Sequence, residues 1–139
     1  MRKNRKFFLP AILLWVLALG FWAYYVYTKP HESTKNLNAD LTINADELYK
    51  QYSGNETEAD KKYLNKIIKV EGKISEIKIN GTVQIFVLET QSAGGINCQM
   101  SSSEIIKKTG VEKGATVSIK GRCTGFLMDV NLIDCVVEQ

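Results

Sequence analysis

From Ile67 onward, apolar residues recur at every second position. Ile68, Val70, Gly72 and Ile74 alternate with Lys69, Glu71 and Lys73, the pattern of a half-buried strand. The phase slips at Ser75-Glu76 and resumes with Ile77 and Ile79, so a bulge or sharp bend is expected inside one long strand. Asn80-Gly81 predicts a hairpin turn. Thr82 to Glu89 is the next strand, with Val83, Ile85 and Val87 on one side and Phe86 and Leu88 on the other. After the loop Ser92-Ala93-Gly94-Gly95, Ile96, Cys98 and Met100 alternate with Asn97 and Gln99. Ser101 and Glu104 form a capping box for a short helix ending at Gly110, and Lys107 and Lys108 suit its last turn. Ala115, Val117, Ile119, Gly121 and Cys123 then alternate with Thr116, Ser118, Lys120 and Arg122. Gly125 to Met128 predicts the next turn, and Val130 to Val137 a final strand with a slip between Leu132 and Ile133.

The order is β-β-β-α-β-β. A long first strand that bends can pair with two neighbours, and a helix between the third and fourth strands can close one end. That layout predicts a mainly β fold, a five-stranded OB-fold-like Greek-key barrel.

Upstream, the period is helical. Ala45, Leu48, Tyr49 and Tyr52 share one face, Asn44 and Glu47 have capping-box spacing, and Gly54 ends the helix. Asn55 and Glu58 repeat that spacing for a second short helix through Tyr63. Asn55-Glu56-Thr57 also matches a glycosylation sequon, a tripeptide common by chance. Further upstream, Phe7 to Tyr27 carries no charge. Its 21 residues match the ~20 that a helix needs to cross a bilayer. Trp22, Tyr24, Tyr25 and Tyr27 gather at its far end, as in an interfacial belt.

Charge adds a direction to this helix. Of the net +3, Arg2, Lys3, Arg5 and Lys6 supply four, so the remainder of the chain is close to neutral. The basic flank is expected to stay in the cytoplasm, which puts the barrel outside, in the periplasm. The expected localisation is the cytoplasmic membrane, with a single pass. A retained anchor is preferred over a cleaved signal peptide, because the apolar run continues past the small residues Ala18 and Gly20. The expected organisation is a basic flank over 1–6, a transmembrane helix over 7–27 and a linker over 28–43. Two helices packing on the barrel occupy 44–66, and the barrel 67–139. His31 falls in the linker without partners near in sequence.

Candidate chemistry is sparse. The chain has no C-x-x-C, no G-x-S-x-G and no phosphate loop, so no catalytic residue, no cofactor and no metal site is expected. Cys98, Cys123 and Cys135 all fall at inward strand positions and read first as small hydrophobes. A Cys123–Cys135 bridge is disfavoured, because a turn near Phe126-Leu127 would set the two about five residues apart, more than ~15 Å. Cys98 and Cys135, on the third and fifth strands, form the easier disulfide pair. From Lys61 to Arg122 there are 11 Lys/Arg against five Asp/Glu, and Lys69, Lys73, Lys78, Lys120 and Arg122 alternate outward. Single-strand binding also needs aromatic platforms, and the strands offer only Phe86, with Phe126 in the last turn. Solvated strand faces explain the lysines more simply.

The stretch Ala45 to Val137 resembles the tRNA_anti-like family of bacterial OB-fold proteins. The resemblance rests on Ala45-Asp46-Glu47-Leu48, on Asn55 with Ala59 and Tyr63, and on Val70-Glu71-Gly72-Lys73-Ile74. Lys120-Gly121-Arg122-Cys123-Thr124-Gly125-Phe126, Asp129-Val130, Leu132 and Asp134-Cys135 complete it. It implies the barrel and carries no functional residues with it. The expected function is a non-catalytic, membrane-anchored binding module. Its ligand would be an oligosaccharide, a peptide or, less favoured, an oligonucleotide. Lys78, Phe86, Gln91, Phe126 and Arg122 are the candidate binding residues, and the first four are expected to converge on one concave surface. The alternative is an envelope structural or assembly protein whose barrel holds a protein partner.

Overall fold

The computed structural model describes residues 5–27, 34–102 and 110–138, with the side chains of 5–13 and 35 outside that description. It divides into two units, Met1–His31 and Glu32–Gln139. The described residues of the first form a single helix, α1 (Arg5–Tyr27). No helix among the described residues is long and apolar enough to cross a membrane. His31 and the rest of 28–33 lie outside the described residues, as does most of the helix expected from Ser101 to Gly110.

The second unit begins with a 3₁₀ turn (Thr34–Asn36), followed by β1 (Leu41–Asn44). Two helices follow, α2 (Ala45–Gly54) and α3 (Glu56–Tyr63). Both start as the capping pattern requires. Asn44 Oδ1 accepts from the Asp46 N–H at 3.0 Å, and Asn55 Oδ1 from the Glu58 N–H at 3.2 Å. Ala45, Leu48, Tyr49 and Tyr52 are the buried face of α2.

Five strands close the barrel: β2 (Ile67–Asn80), β3 (Val83–Leu88), β4 (Ile96–Met100), β5 (Thr116–Leu127) and β6 (Asp129–Glu138). Their order is β2-β3-β4-β6-β5, with β5 returning to β2. β4 and β6 run parallel, and the other barrel neighbours run antiparallel. β2 serves two partners because it bends. Ile67–Lys73 pairs with β5, Ile74–Asn80 pairs with β3, and the register shifts between Ile74 and Glu76. The extra residue is Ser75, whose Oγ donates to the Val87 carbonyl at 3.1 Å. The core joins inward strand residues such as Val70, Ile74, Phe86, Leu88, Ile96, Ile119 and Leu132 to the apolar face of α2.

Three expectations need correction. The linker expected over 28–43 contains β1, which pairs in parallel with β2 from Leu41↔Ile68 to Asn44↔Glu71. The reason is geometric: β3 covers only the second half of β2, so the first half has a free edge that β1 fills. The chain is also tied down before β1, since Thr34 N and Oγ1 both donate to Asp134 Oδ2, at 2.7 and 2.9 Å.

The expected turn over Gly125–Met128 is a strand for most of its length. β5 runs to Leu127, and the reversal is at Met128 (φ 63°), between the partners Leu127 and Asp129. Gly125 marks a bulge instead: the register shifts between Cys123 and Gly125, and its φ of 108° favours glycine. Finally, the slip in β6 lies just beyond Leu132-Ile133. Ile133 still pairs with Arg122, and the register resumes only at Val136↔Lys120. Asp134, at φ 52°, lies in the irregular stretch.

Candidate functional site

Alternation on β3, β4 and β6 sends Phe86, Cys98 and Leu132 inward and Ile85, Asn97, Gln99, Asn131 and Ile133 outward. The register sets these outward residues side by side, with Ile85 opposite Gln99 and Asn97 opposite Asn131. With Lys78 of β2 they line a shallow depression of about 240 Å³. Its amides are held in place. Asn97 Nδ2 donates to Asp129 Oδ2 at 3.2 Å and to Asn131 Oδ1 at 3.3 Å. Asn131 Nδ2 donates to the Asp129 carbonyl at 3.0 Å. Asp129 is fixed in turn by the Gly95 N–H, at 2.7 Å from Oδ1. The one cation, Lys78, pairs with Glu76 at 3.4 Å, and both side chains are more than half exposed. The result is an open floor of oriented amides with apolar borders and little net charge.

The residues expected to converge do not share one surface. Lys78 lies in this depression. Phe86 is 1 % exposed and belongs to the core, so it offers no stacking face. Gln91 lines a second depression with Asn44, Asp46, Glu71, Lys73 and Glu89, and its N–H donates to Asp46 Oδ1 at 2.5 Å. Arg122 donates from Nη1 to the Asn65 carbonyl at 3.2 Å. Phe126 is half-buried against helix α2. It stacks on Tyr52 with centroids 5.8 Å apart and meets Tyr49 edge-on at 5.7 Å. In the sequence Asn97, Gln99 and Asn131 read as ordinary solvated strand positions. Three amides at outward positions of two strands was the available signal.

Lys120 also departs from expectation. It is 7 % exposed rather than solvated, and its Nζ lies 2.7 Å from Glu138 Oε1. Lys69 meets the other oxygen of Glu138 at 3.0 Å. The hydrogen bonds from Lys120 and then Lys69 hold the Glu138 carboxyl below its usual pKa.

All three cysteines are buried free thiols, so the expected Cys98–Cys135 disulfide is not formed in this structure. Cys123 Sγ lies 3.2 Å from the Tyr52 hydroxyl. Burial, followed by the Cys123 contact, pushes the Tyr52 hydroxyl far up, and burial pushes the Cys123 thiol up. Cys135 is raised by burial and then by its side-chain hydrogen bond with Cys98. Cys135 lies three residues beyond Leu132, the partner of Cys123, not five, because the hairpin turns later than the sequence indicated. No group of His, Cys, Asp or Glu able to hold a metal occurs among the described residues.

A family model, tRNA_anti-like, matches residues 1–137. No curated protein matches the chain in sequence. Among solved structures, the chain is similar to a protein from Klebsiella pneumoniae subsp. pneumoniae provisionally described as a nucleic acid-binding lipoprotein. That likeness has a TM-score of 0.59 and 17 % identity, and it covers 70 % of this chain and 92 % of the other. Weaker likenesses reach the S. pombe Stn1-Ten1 complex and an aspartyl-tRNA synthetase, provisionally so described, from Leishmania major Friedlin. The first has a TM-score of 0.42 and 18 % identity over 52 % of this chain and 58 % of the other. The second has a TM-score of 0.49 and 10 % identity over 81 % of this chain and 21 % of the other. At these identities the likeness is one of fold.

Proposed function

Since the chain belongs to the tRNA_anti-like family, with its OB-fold-like barrel, we propose that it is a non-catalytic binding module carried at the outer face of the cytoplasmic membrane. The ligand is an uncharged, hydrogen-bonding chain, an oligosaccharide or an extended peptide. It lies across the depression lined by Lys78, Ile85, Asn97, Gln99, Asn131 and Ile133. The observation that carries this reading is the amide ladder Asn97–Asn131–Asp129, fixed on adjacent strands. Oriented amides can donate to and accept from hydroxyls or peptide groups without first being ordered. OB barrels use this strand face for oligosaccharides and oligonucleotides alike.

The Klebsiella neighbour's description makes a nucleic acid the competing ligand. Against it, the depression holds one lysine, already paired with Glu76, and no aromatic ring. The uncharged run Phe7–Tyr27 supports the anchor, and the basic residues before it support the outward orientation.

The test is to titrate the full-length chain in detergent micelles with linear oligosaccharides, extended peptides and single-stranded oligonucleotides while following side-chain amide resonances. Shifts of Asn97, Gln99 and Asn131 with the first or second probe, insensitive to salt, are expected. Salt-sensitive binding of the oligonucleotide alone would overturn the ligand class.

A second reading, an assembly protein of the envelope, has its own observation. Leu127 and Met128, at the tip of the β5–β6 hairpin, are 84 % and 85 % exposed, an apolar pair that a protein partner could cover.

A further inference from the structure

Among the described residues, β4 and β6 form the one parallel pairing within the barrel, joining segments far apart in the chain. Their register sets Cys98 opposite Leu132 and Met100 opposite Cys135, with an irregularity between the two pairs. Cys98 and Cys135 are therefore diagonal neighbours on the inner face, close enough for each thiol to feel the other. Both are 0 % exposed. The Cys135 sulfur itself lies against β5, where a Cβ on Gly121 would stand 2.5 Å from it. The third cysteine is engaged elsewhere, against the Tyr52 hydroxyl.

We infer that Cys98 and Cys135 are a disulfide-forming pair that staples β4 to β6 when the chain folds in the presence of a disulfide oxidant. A disulfide needs its sulfurs about 2.05 Å apart and its Cα atoms within about 7 Å, and the irregular step of the register between the two pairs is where β4 and β6 can bring Cys98 and Cys135 to that span. In the reaction, one cysteine thiolate attacks the oxidant disulfide and releases one of its thiols, giving a mixed disulfide. The second cysteine then attacks the protein sulfur and releases the other thiol. Two thiols of the protein are oxidised, one disulfide of the oxidant is reduced, and the two protons leave with the released thiols. Burial keeps Cys135 protonated in the folded barrel, so the exchange takes place before β4 and β6 close over it. The inference is independent of what the outer face binds.

The full-length chain is refolded in detergent micelles with oxidised glutathione, and in parallel with reduced glutathione. It is then alkylated under denaturing, non-reducing conditions. The expected outcome is one alkylated cysteine, Cys123, in the oxidised sample and three in the reduced one, with a linked peptide pair containing Cys98 and Cys135. The oxidised protein should melt on the order of 10 °C higher than the reduced one, since the bond closes a long loop at an inward site. Cys98→Ala and Cys135→Ala should each abolish the link, and Cys123→Ala should retain it. Because the peptide map needs no variant, a substitution that fails to fold does not spoil the test. Three alkylated cysteines in an oxidised protein with the native strand spectrum would overturn the inference. A link through Cys123, or a linked protein that melts no higher than the reduced one, would do the same.

Discussion

At the scale of single residues, this barrel depends on places where one atom more would not fit. Gly121 faces Cys135 Sγ, Leu132 Cβ and the Ile133 carbonyl, all within 3.3 Å of where a Cβ would stand. Gly121→Ala must therefore push β6 away from β5, and should cost about 1–3 kcal/mol of stability, read from denaturant melts. Glu138 presents the opposite case, a residue defined by its charge. It accepts from both Lys120 and Lys69, which lowers its carboxyl pKa. A lowered folded pKa gives stability that is present above the unfolded value, about 4.3, and lost as pH falls through the folded one. Glu138→Gln should cost on the order of 1 kcal/mol at pH 7, reduced by the partial exposure of the site. The gap between variant and parent should close as the melts are repeated at falling pH. An unchanged gap at acid pH would assign the cost to packing rather than charge.

Among the elements, the two short helices start where their asparagines permit. Asn44 and Asn55 each satisfy an N–H in the first turn that no intrahelical carbonyl can reach. Asn55→Ala should cost about 1 kcal/mol, and Asn55→Asp close to nothing, in thermal melts of the same protein. That pair of outcomes would also separate the capping role from any role of the Asn55-Glu56-Thr57 sequon.

The helices, the Ser75 bulge and the Asn80-Gly81 hairpin were legible in the sequence, because each is set by residues close together in the chain. β1 was not. Four residues, Leu41 to Asn44, carry too little periodicity to be distinguished from a tether, and they are a strand only because half of β2 has an open edge. The end of β5 was misread for a related reason. Gly125 reads as a turn residue, but strand pairing continues past it through a bulge and places the reversal at Met128.

At the scale of the whole molecule, the unit Glu32–Gln139 has its own core, and the 3₁₀ turn at Thr34 is fastened to it through Asp134. A chain beginning at Glu32 should therefore melt within a few degrees of the parent, whereas one beginning at Thr42 should lose the Thr34–Asp134 and Asp40–Ile67 contacts and melt lower. Thermal scans of the two truncations check this. Protease protection in sealed vesicles checks the proposed orientation. The barrel is expected to be cleaved only from its periplasmic side.

The sequence by itself determined which residues point inward. Period-two burial depends only on the pleat, and it fixed five strands, their order along the chain and the inward positions of all three cysteines. It could not determine what stands beside what. Phe86 and Lys78 are eight residues apart, yet one is sealed in the core and the other lies on the rim. Asn97 and Asn131 are 34 apart, yet they touch. Neighbours of that kind come from the closure of the barrel: the β4–β6 pairing and three bulges shift each strand against the next. A shift of one residue moves a side chain from one face to the other, so only the assembled register decides which polar residues form a site and which cysteines meet.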